Sequence, residues 1–460
     1  MRNKANLVIA ILVLFVAGIF SSDGFGWTSK RILVKEPVNK VLIKNVNIFD
    51  GNTRRLMTDQ SVLVEGDKIA AVGKGLRAKG RVIVIDGGGG TLTPGLIDMH
   101  QHILPVGPAG AQSNDNDAYA QGARGYAQMY DELFMQGITT IRDIGGNTLG
   151  MARAVKQGLL QGPRIYSSGP ALSTTGGYGD CRANNDMTDT DGFRQMACDT
   201  VIADGVTEVL KAARKNFRDG ASFLKVIQGG PLSSVFDTQK LPGFTLEELQ
   251  AVVAVADNYN SYVTVQAWHD TSYNRALDAG VKCFEYGFFI TEPTVKRMVK
   301  DNAVYCFQPY GGYTIFAGDY PEWFSEDMRT KAQAVQQATT RVAQLMKKNG
   351  VFMVIGSSIF GSDANRVIDN FIAPISIPDA GFTSYDCMKM ATGNAGKVLS
   401  MSGPETDYYK EAPLGVIKEG ARADMLIYDG NPVKDIEVIG EEDNLKMIMK
   451  DGKIYKNTFE

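Results

Sequence analysis

The sequence predicts an α/β protein, a (β/α)8 TIM barrel carrying a small β-sandwich built from both ends of the chain. Three observations predict it. Eight short apolar segments alternate with helical periodicity through the middle of the chain. Period-two segments separated by turn dipeptides come before this region and return after it. No Gly-x-Gly-x-x-Gly turn follows a strand, which disfavours the doubly wound open sheet.

The chain has 460 residues, enough for one large and one smaller domain, and 50 glycines, which suit many tight strand-to-helix turns. A net charge of −3 with no Lys/Arg-rich block excludes nucleic acid as a partner. Residues 1–24 read as a signal peptide: Arg2 and Lys4 precede the apolar run Leu7 to Phe20, and Ser21, Ser22 and Gly24 follow. The run is short of the roughly 20 residues a span needs, so no stable membrane span is expected after cleavage. No cysteine follows it, which excludes a lipoprotein anchor. The expected location is periplasmic or secreted, with an uncleaved anchor as the alternative.

Residues 40–92 form the first part of the sandwich. Val41 to Phe49, Ser61 to Glu65, Lys68 to Val72 and Arg81 to Ile85 are separated by Asp50-Gly51, Gly66-Asp67 and Gly73, and predict antiparallel strands. Residues 93–405 form the barrel, with strands expected at Gly95–Met99, Thr139–Arg142, Arg164–Ser168, Phe223–Ile227, Tyr262–Gln266, Lys282–Glu285, Ala303–Phe307 and Phe352–Ile355. Thr245-x-x-Glu248 is a capping box that opens a helix, and Arg329 to Lys348 and Ser384 to Ser400 predict two more. Residues 412–460 return to the sandwich through Ala423 to Tyr428 and Lys446 to Tyr455.

The chemistry begins at Leu92-Thr-Pro-Gly-Leu-Ile-Asp-Met-His-Gln-His102. Side chains alternate along a strand, so His100 and His102 share a face, with Cα atoms about 6.5 Å apart, and can converge on one metal ion. They are two of only three histidines in the chain. Lys225 stands inside the apolar run Ser222-Phe-Leu-Lys-Val-Ile227, where a lysine needs either a partner or a route to the barrel mouth. Tyr305, Phe307, Tyr310, Tyr313, Phe316, Tyr320, Trp323 and Phe324 form an aromatic-rich stretch. It reads equally as a packed loop or as the wall of a site for an aromatic or apolar small-molecule substrate.

Five cysteines, an odd number, leave at least one thiol free or paired between chains. Cys283 and Cys306 lie in apolar strands and read as inert core residues. Cys181 and Cys198 bracket a polar insertion and are expected to form a disulfide, worth about 3 kcal/mol in the chain-entropy model.

The motif Pro94-Gly-Leu-Ile-Asp-Met-His-x-His102 resembles the first-strand signature of the amidohydrolase superfamily, metal-dependent hydrolases on TIM barrels. The resemblance runs from about Lys40 to Asn457, through Gly137-Ile-Thr-Thr-Ile-Arg-Asp-Ile-Gly-Gly146, Lys225 followed by Gly229-Gly230, Arg275-Ala-Leu-Asp-Ala-Gly280 and Ala423 to Gly430. It is strongest to the imidazolonepropionase-like and prolidase-like branch, which hydrolyses cyclic amides or aminoacyl-proline bonds. That resemblance implies a carboxylated Lys225 bridging metal ions. It also places Gln266, Tyr286 and Ser358 at ligand positions where the family has histidine, histidine and aspartate, and Tyr178 at another family histidine. His269 falls one residue out of register with the fifth-strand ligands, so it reads as a loop residue or one that supports the ligands from behind, rather than a ligand. Neutral amide and hydroxyl oxygens are poor zinc ligands, so the expectation is one divalent ion, zinc, on His100, His102 and Lys225. Asp363 or Tyr178 would accept the proton. Two readings stay open: an exported hydrolase of carbon–nitrogen bonds acting through metal-activated water, or a catalytically degenerate relative that binds a ligand or partner. A homo-oligomer is the expected assembly.

Overall fold

The protein is described from a computed structural model, covering residues 40–104, 115–180, 182, 200–230, 242–309, 326–358, 367–403 and 412–459. Asp363, Cys181, Cys198, the expected signal peptide and most of the aromatic stretch (residues 310–325) lie outside the described residues.

Eight strands from both ends of the chain share one sheet. They are β1 (Lys40–Ile48), β2 (Met57–Glu65), β3 (Lys68–Gly73), β4 (Ile83–Asp86), β5 (Thr91–Pro94), β16 (Met425–Tyr428), β17 (Leu445–Lys450) and β18 (Lys453–Asn457), in the order β18-β17-β16-β5-β1-β2-β3. The sequence predicted antiparallel pairing throughout the first part. Instead β4 and β5 both run parallel to β1, in succession along one edge: Val41 pairs with Ile83, and Ile48 with Leu92. Gly87 to Gly90 make this possible. A Cβ at Gly87 would lie 2.3 Å from Val46 Cγ1, and one at Gly90 would lie 2.7 Å from the Tyr428 carbonyl oxygen. Only a chain without side chains can step along β1 so closely. Val41, Ile43, Val62, Ile85, Leu92, Met425, Ile427 and Met447 bury one continuous core, so the two ends of the chain stabilise each other.

All eight central strands are present within one or two residues of their expected places. Parallel β6 (Leu96–Gln101), β7 (Ile138–Asp143) and β8 (Arg164–Ser167) form one sheet. A second all-parallel sheet runs β10-β9-β11-β12-β13-β14-β15. Its members are β9 (Ala171–Ser173), β10 (Thr200–Ile202), β11 (Leu224–Ile227), β12 (Val263–Ala267), β13 (Cys283–Tyr286), β14 (Val304–Phe307) and β15 (Phe352–Ile355). The short strands β9 and β10 were not expected. The sheets meet at both ends: Ser222 N donates to Ser167 O at 2.8 Å, and Ser358 N donates to His100 O at 2.7 Å.

Helices α1 (Asp115–Gln128), α2 (Leu149–Lys156), α3 (Gly205–Asp219), α4 (Leu246–Asn258), α5 (Asp270–Ala279), α6 (Glu292–Lys300) and α7 (Glu326–Asn349) fall between the strands. Thr245 caps α4 in the predicted box, its N–H donating to Glu248 at 2.7 Å. Gly220 and Gly280 end α3 and α5 in the left-handed conformation, the usual role of glycine past a helix terminus. The single helix expected over 384–400 is broken: α8 (Ser384–Lys389) and α9 (Ala395–Leu399) flank a π turn, Met390–Asn394. The wider turn brings the backbone against the terminal sheet, where a Cβ at Gly393 would sit 2.1 Å from the Gly51 carbonyl oxygen. Inward-facing Ile97, Met99, Tyr166, Phe223, Tyr262, Cys283, Cys306 and Val354 pack together. No described helix is long and apolar enough to cross a membrane.

Candidate active site

Glu285 is the hub of the site, although no motif pointed to it. It is fully buried on β13. Its carboxylate accepts from Arg142 Nη2 at 2.5 Å, Thr264 Oγ1 at 2.5 Å, Gln308 Nε2 at 2.9 Å and His100 Nδ1 at 2.8 Å. Burial alone pushes its pKa up, but the charge of Arg142 and the bonds from His100 and Thr264 prevail and hold it down at about 2. It is therefore an anion at neutral pH, and this sets the histidine tautomer. The Gln308 amide is oriented by Tyr286 N, which donates to its Oε1 at 2.9 Å, so its NH2 group faces Glu285. The same NH2 group also lies 3.0 Å from His100 Nδ1, but an anionic Glu285 can only accept, so the shorter 2.8 Å contact places the His100 proton on Nδ1. Burial pushes the His100 pKa down to about 4 despite the pull of Glu285, so the ring is neutral. The Nε2 lone pair is left to face the hydroxyl of Tyr286, 3.3 Å away.

The two histidines converge as their spacing predicts. Their ring centroids lie 5.2 Å apart, and both side chains are buried. His102 Nδ1 lies 3.4 Å from the Gly145 carbonyl oxygen, and burial followed by the charge of Lys225 pushes its pKa well down. Lys225 approaches from β11 across the same glycine: a Cβ at Gly145 would be 3.8 Å from Lys225 Cδ and 3.9 Å from His102 Cε1. The Lys225 ammonium donates to Ile144 O at 2.9 Å, and burial lowers its pKa to about 8. It does not snorkel.

Tyr286 and Ser358 face this cavity together, their hydroxyls 3.0 Å apart. Both have left-handed backbones, with φ of +63° and +55°. On β13, Tyr286 is out of phase with Glu285; its left-handed backbone lets both reach the site. Gln266 is buried at the end of β12, two residues beyond Thr264 and so on the same face. Tyr178 is half-buried in the turn after β9, close enough to Tyr286 to raise its pKa. His269 stands at the N-cap position of α5 without a side-chain capping bond, and its ring stacks on Phe289 at 4.8 Å.

Other charged groups frame the site. Asp98 accepts from Ser357 Oγ at 2.5 Å and from the backbone N–H of His100 at 3.0 Å. Asp143 accepts from the N–H of Ile103 at 3.0 Å and from Thr148 Oγ1 at 2.6 Å, fixing the segment that carries His102. Burial pushes these carboxyls up to about 6 and about 7. The signal that marks Lys225, a charge inside an apolar strand, is carried equally by Arg142 and Glu285.

The residues around His100 have the chemistry to hold a divalent ion. His100 is neutral, with its outer nitrogen on a carboxylate in the arrangement that orients metal-binding imidazoles. His102 and Lys225 lie beside it. His100, Glu285 and Cys306 also bring ligand-type atoms within 4.8 Å of one another. There, however, four donors already occupy Glu285, and burial holds the Cys306 thiol protonated.

Gly356 sets the depth of His100. A Cβ there would lie 2.3 Å from His100 Cβ and 2.5 Å from its backbone nitrogen. Gly356→Ala is therefore expected to push β15 off β6 and cost about 1–3 kcal/mol in denaturant unfolding. Gly122→Ala on α1, where a Cβ meets nothing, should be neutral or stabilising.

The chain is similar to several known hydrolases. Ochratoxinase of Aspergillus niger is 29% identical over 386 residues, covering 79% of this chain and 75% of that protein. The crystal structure of an amidohydrolase superposes with a TM-score of 0.82 at 28% identity, covering 92% of this chain and all of that one. A prolidase complexed with N-methylphosphonate-L-proline superposes with a TM-score of 0.79 at 27% identity, covering 91% of this chain and 100% of the other. Residues 91–455 match the sequence profile of the Amidohydrolase family, and the chain belongs to that family of carbon–nitrogen hydrolases.

Proposed function

We propose that this protein is an exported hydrolase that cleaves a carbon–nitrogen bond, of amide, cyclic-amide or aminoacyl-proline type, in a small apolar or aromatic molecule. The observation that carries the reading is the buried Glu285–His100 pair: burial keeps the imidazole neutral, and Glu285 orients it with its free nitrogen facing the cavity. The hydrogen bonds at both sheet ends support closure of the central strands into a (β/α)8 barrel, with residues 40–92 and 412–460 as a separate sandwich. In such a barrel the site lies at the carboxyl mouth.

One zinc-type ion would be held by His100, His102 and Lys225, the last as a carbamate. What such an ion supplies is Lewis acidity at a carbonyl oxygen and at water. The chain's own residues do the rest. The pKa of Lys225, near 8, gives it the free-amine fraction that carbon dioxide requires. Arg142 and Glu285 lock His100 in place, and Asp143 holds the segment carrying His102. Tyr178 or Asp363 would accept the proton. We further propose a homo-oligomer without nucleic-acid partners.

The test is metal content of the purified chain, with zinc, manganese and iron measured together, alongside hydrolysis of N-acyl amino acids, cyclic amides and aminoacyl-prolines before and after chelation. The expected outcome is one ion per chain and an activity that chelation removes and zinc restores. Two ions per chain would overturn the ligand assignment. No ion and no hydrolysis across the panel would favour the binding relative, a reading supported by serine at position 358 where the family resemblance expects aspartate.

A further inference from the structure

One buried polar group beside the site has no role in the chemistry above. The indole N–H of Trp268 is sealed from solvent and has no hydrogen-bond partner among the described residues. An indole nitrogen can only donate, so no change of its own protonation satisfies it. A buried donor without an acceptor bears the full cost of its desolvation, and native folds seldom leave one. Resting on the carbon–nitrogen hydrolase reading, we propose that Trp268 is a substrate-binding residue. Its N–H donates to a neutral carbonyl oxygen of the substrate other than the one under attack. The preferred substrates are then amides that carry a second, uncharged carbonyl.

The residue stands where such a contact is useful. It is the first residue beyond β12 and continues the alternation of Thr264 and Gln266, which face the site. Like His100, His102 and Lys225 it is buried. One ring, Tyr286, links it to His100, lying 5.2 Å from the imidazole and 4.8 Å from the indole. One carbonyl can therefore sit at the free His100 nitrogen and a second, a few bonds along the same small molecule, at the indole. The donor is also held still. Tyr286 stacks on the indole at 11°, and Phe288 meets it edge-on at 5.5 Å and 72°. Its backbone carbonyl accepts from Phe289 N at 3.0 Å, and Gly287 N donates to the carbonyl of Ala267 at 2.9 Å, which ties the two neighbouring loops together.

The same surroundings decide the charge of the acceptor. A single neutral donor between aromatic rings offsets the drying of a carbonyl, whereas a carboxylate placed there would need a cation as well. Lys225 is committed to the ion in this reading, and Arg142 is committed to Glu285. A free acid is thus the poorer ligand and its amide the better one.

The experiment uses three probes that share a phenyl ring and an acetyl group. N-acetylphenylalaninamide carries a neutral second carbonyl, N-acetylphenylalanine carries a carboxylate in its place, and N-phenethylacetamide carries neither. The purified full chain is isotopically labelled at the indole nitrogens of Trp27, Trp268 and Trp323 and followed by nuclear magnetic resonance. Trp268→Phe, which keeps a flat ring for the stack, identifies the Trp268 signal; should it fail to fold, Trp27→Phe and Trp323→Phe identify it by elimination. N-acetylphenylalaninamide is expected to move the Trp268 proton downfield, as a new hydrogen bond does, and to bind about tenfold more tightly than either other probe. In Trp268→Phe its Kd should rise about tenfold, as should its KM where it is hydrolysed, with kcat little changed, while N-phenethylacetamide binds as before. A Trp268 signal that no probe moves at its solubility limit, or that all three move alike, would overturn the proposal and leave the hydrolase reading standing. So would a Trp268→Phe variant that weakens all three equally, which is the mark of a packing role, or a preference for N-acetylphenylalanine. A downfield shift with the amide in a chain that hydrolyses nothing would keep the Trp268 contact and remove the hydrolase reading instead.

Discussion

Glu285→Gln is expected to destabilise the protein by about 3–5 kcal/mol in urea or thermal unfolding, more than any other conservative change at the site. The substitution keeps the shape and removes the charge, leaving Arg142 fully buried without an ionised partner. The amide keeps one acceptor oxygen, so either Arg142 and Thr264 on Oε1 or Gln308 and His100 on Oε2 lose theirs. Arg142→Met in the Glu285→Gln background should recover part of the loss, because the stranded cation is then gone. The pH dependence follows from the sign of the shift. The folded carboxyl titrates at about 2, below the ordinary unfolded value, so its stabilisation is complete above about pH 5 and is lost as the pH falls toward 2. In the variant that part of the acid destabilisation should disappear. An unchanged unfolding midpoint in Glu285→Gln would remove the carboxylate from its central place.

Lys225→Met should separate stability from activity. The amine is lost, so hydrolysis is expected to fall on the order of 10³-fold or more. The metal-free protein should become more stable. A folded pKa of about 8 against an ordinary value of 10.5 means the fold disfavours the charged lysine. That penalty, about 3 kcal/mol as an order of magnitude, is complete below about pH 8 and fades as the pH rises toward 10.5. The unfolding midpoints of variant and wild type should therefore differ most at neutral pH and approach each other in alkali. A variant that loses activity and stability together would make Lys225 a packing residue.

The central strands were legible in the sequence because each is an apolar run bounded by turn residues, and the His100–His102 pair because alternation along a strand fixes its geometry. Lys225 stood out as a charge in an apolar run. What the sequence did not disclose depends on neighbours brought from far along the chain. Glu285 meets Arg142, 143 residues away, and no local pattern joins the two. The direction of β4 was hidden because alternation reports which face a residue lies on and not which way its strand runs relative to another. The aim of Tyr286 was hidden for a related reason: alternation turns it away from Glu285, and the left-handed backbone that re-aims it falls on a residue type that rarely adopts one.

The position of β5 has a consequence for how this protein comes to be made. Its strand partners are β1 on one side and β16 on the other, with Leu92 facing Ile427, and it continues within two residues into the strand that carries His100. Contacts of such sequence separation are slow to close and keep the contact order high. During synthesis the central strands leave the ribosome well before β16 to β18 exist. Until those arrive, β5 has an open edge and the segment leading to His100 is held from one side only. Completion of the fold is thus a post-translational event, and the interval before it is when a chaperone would matter most.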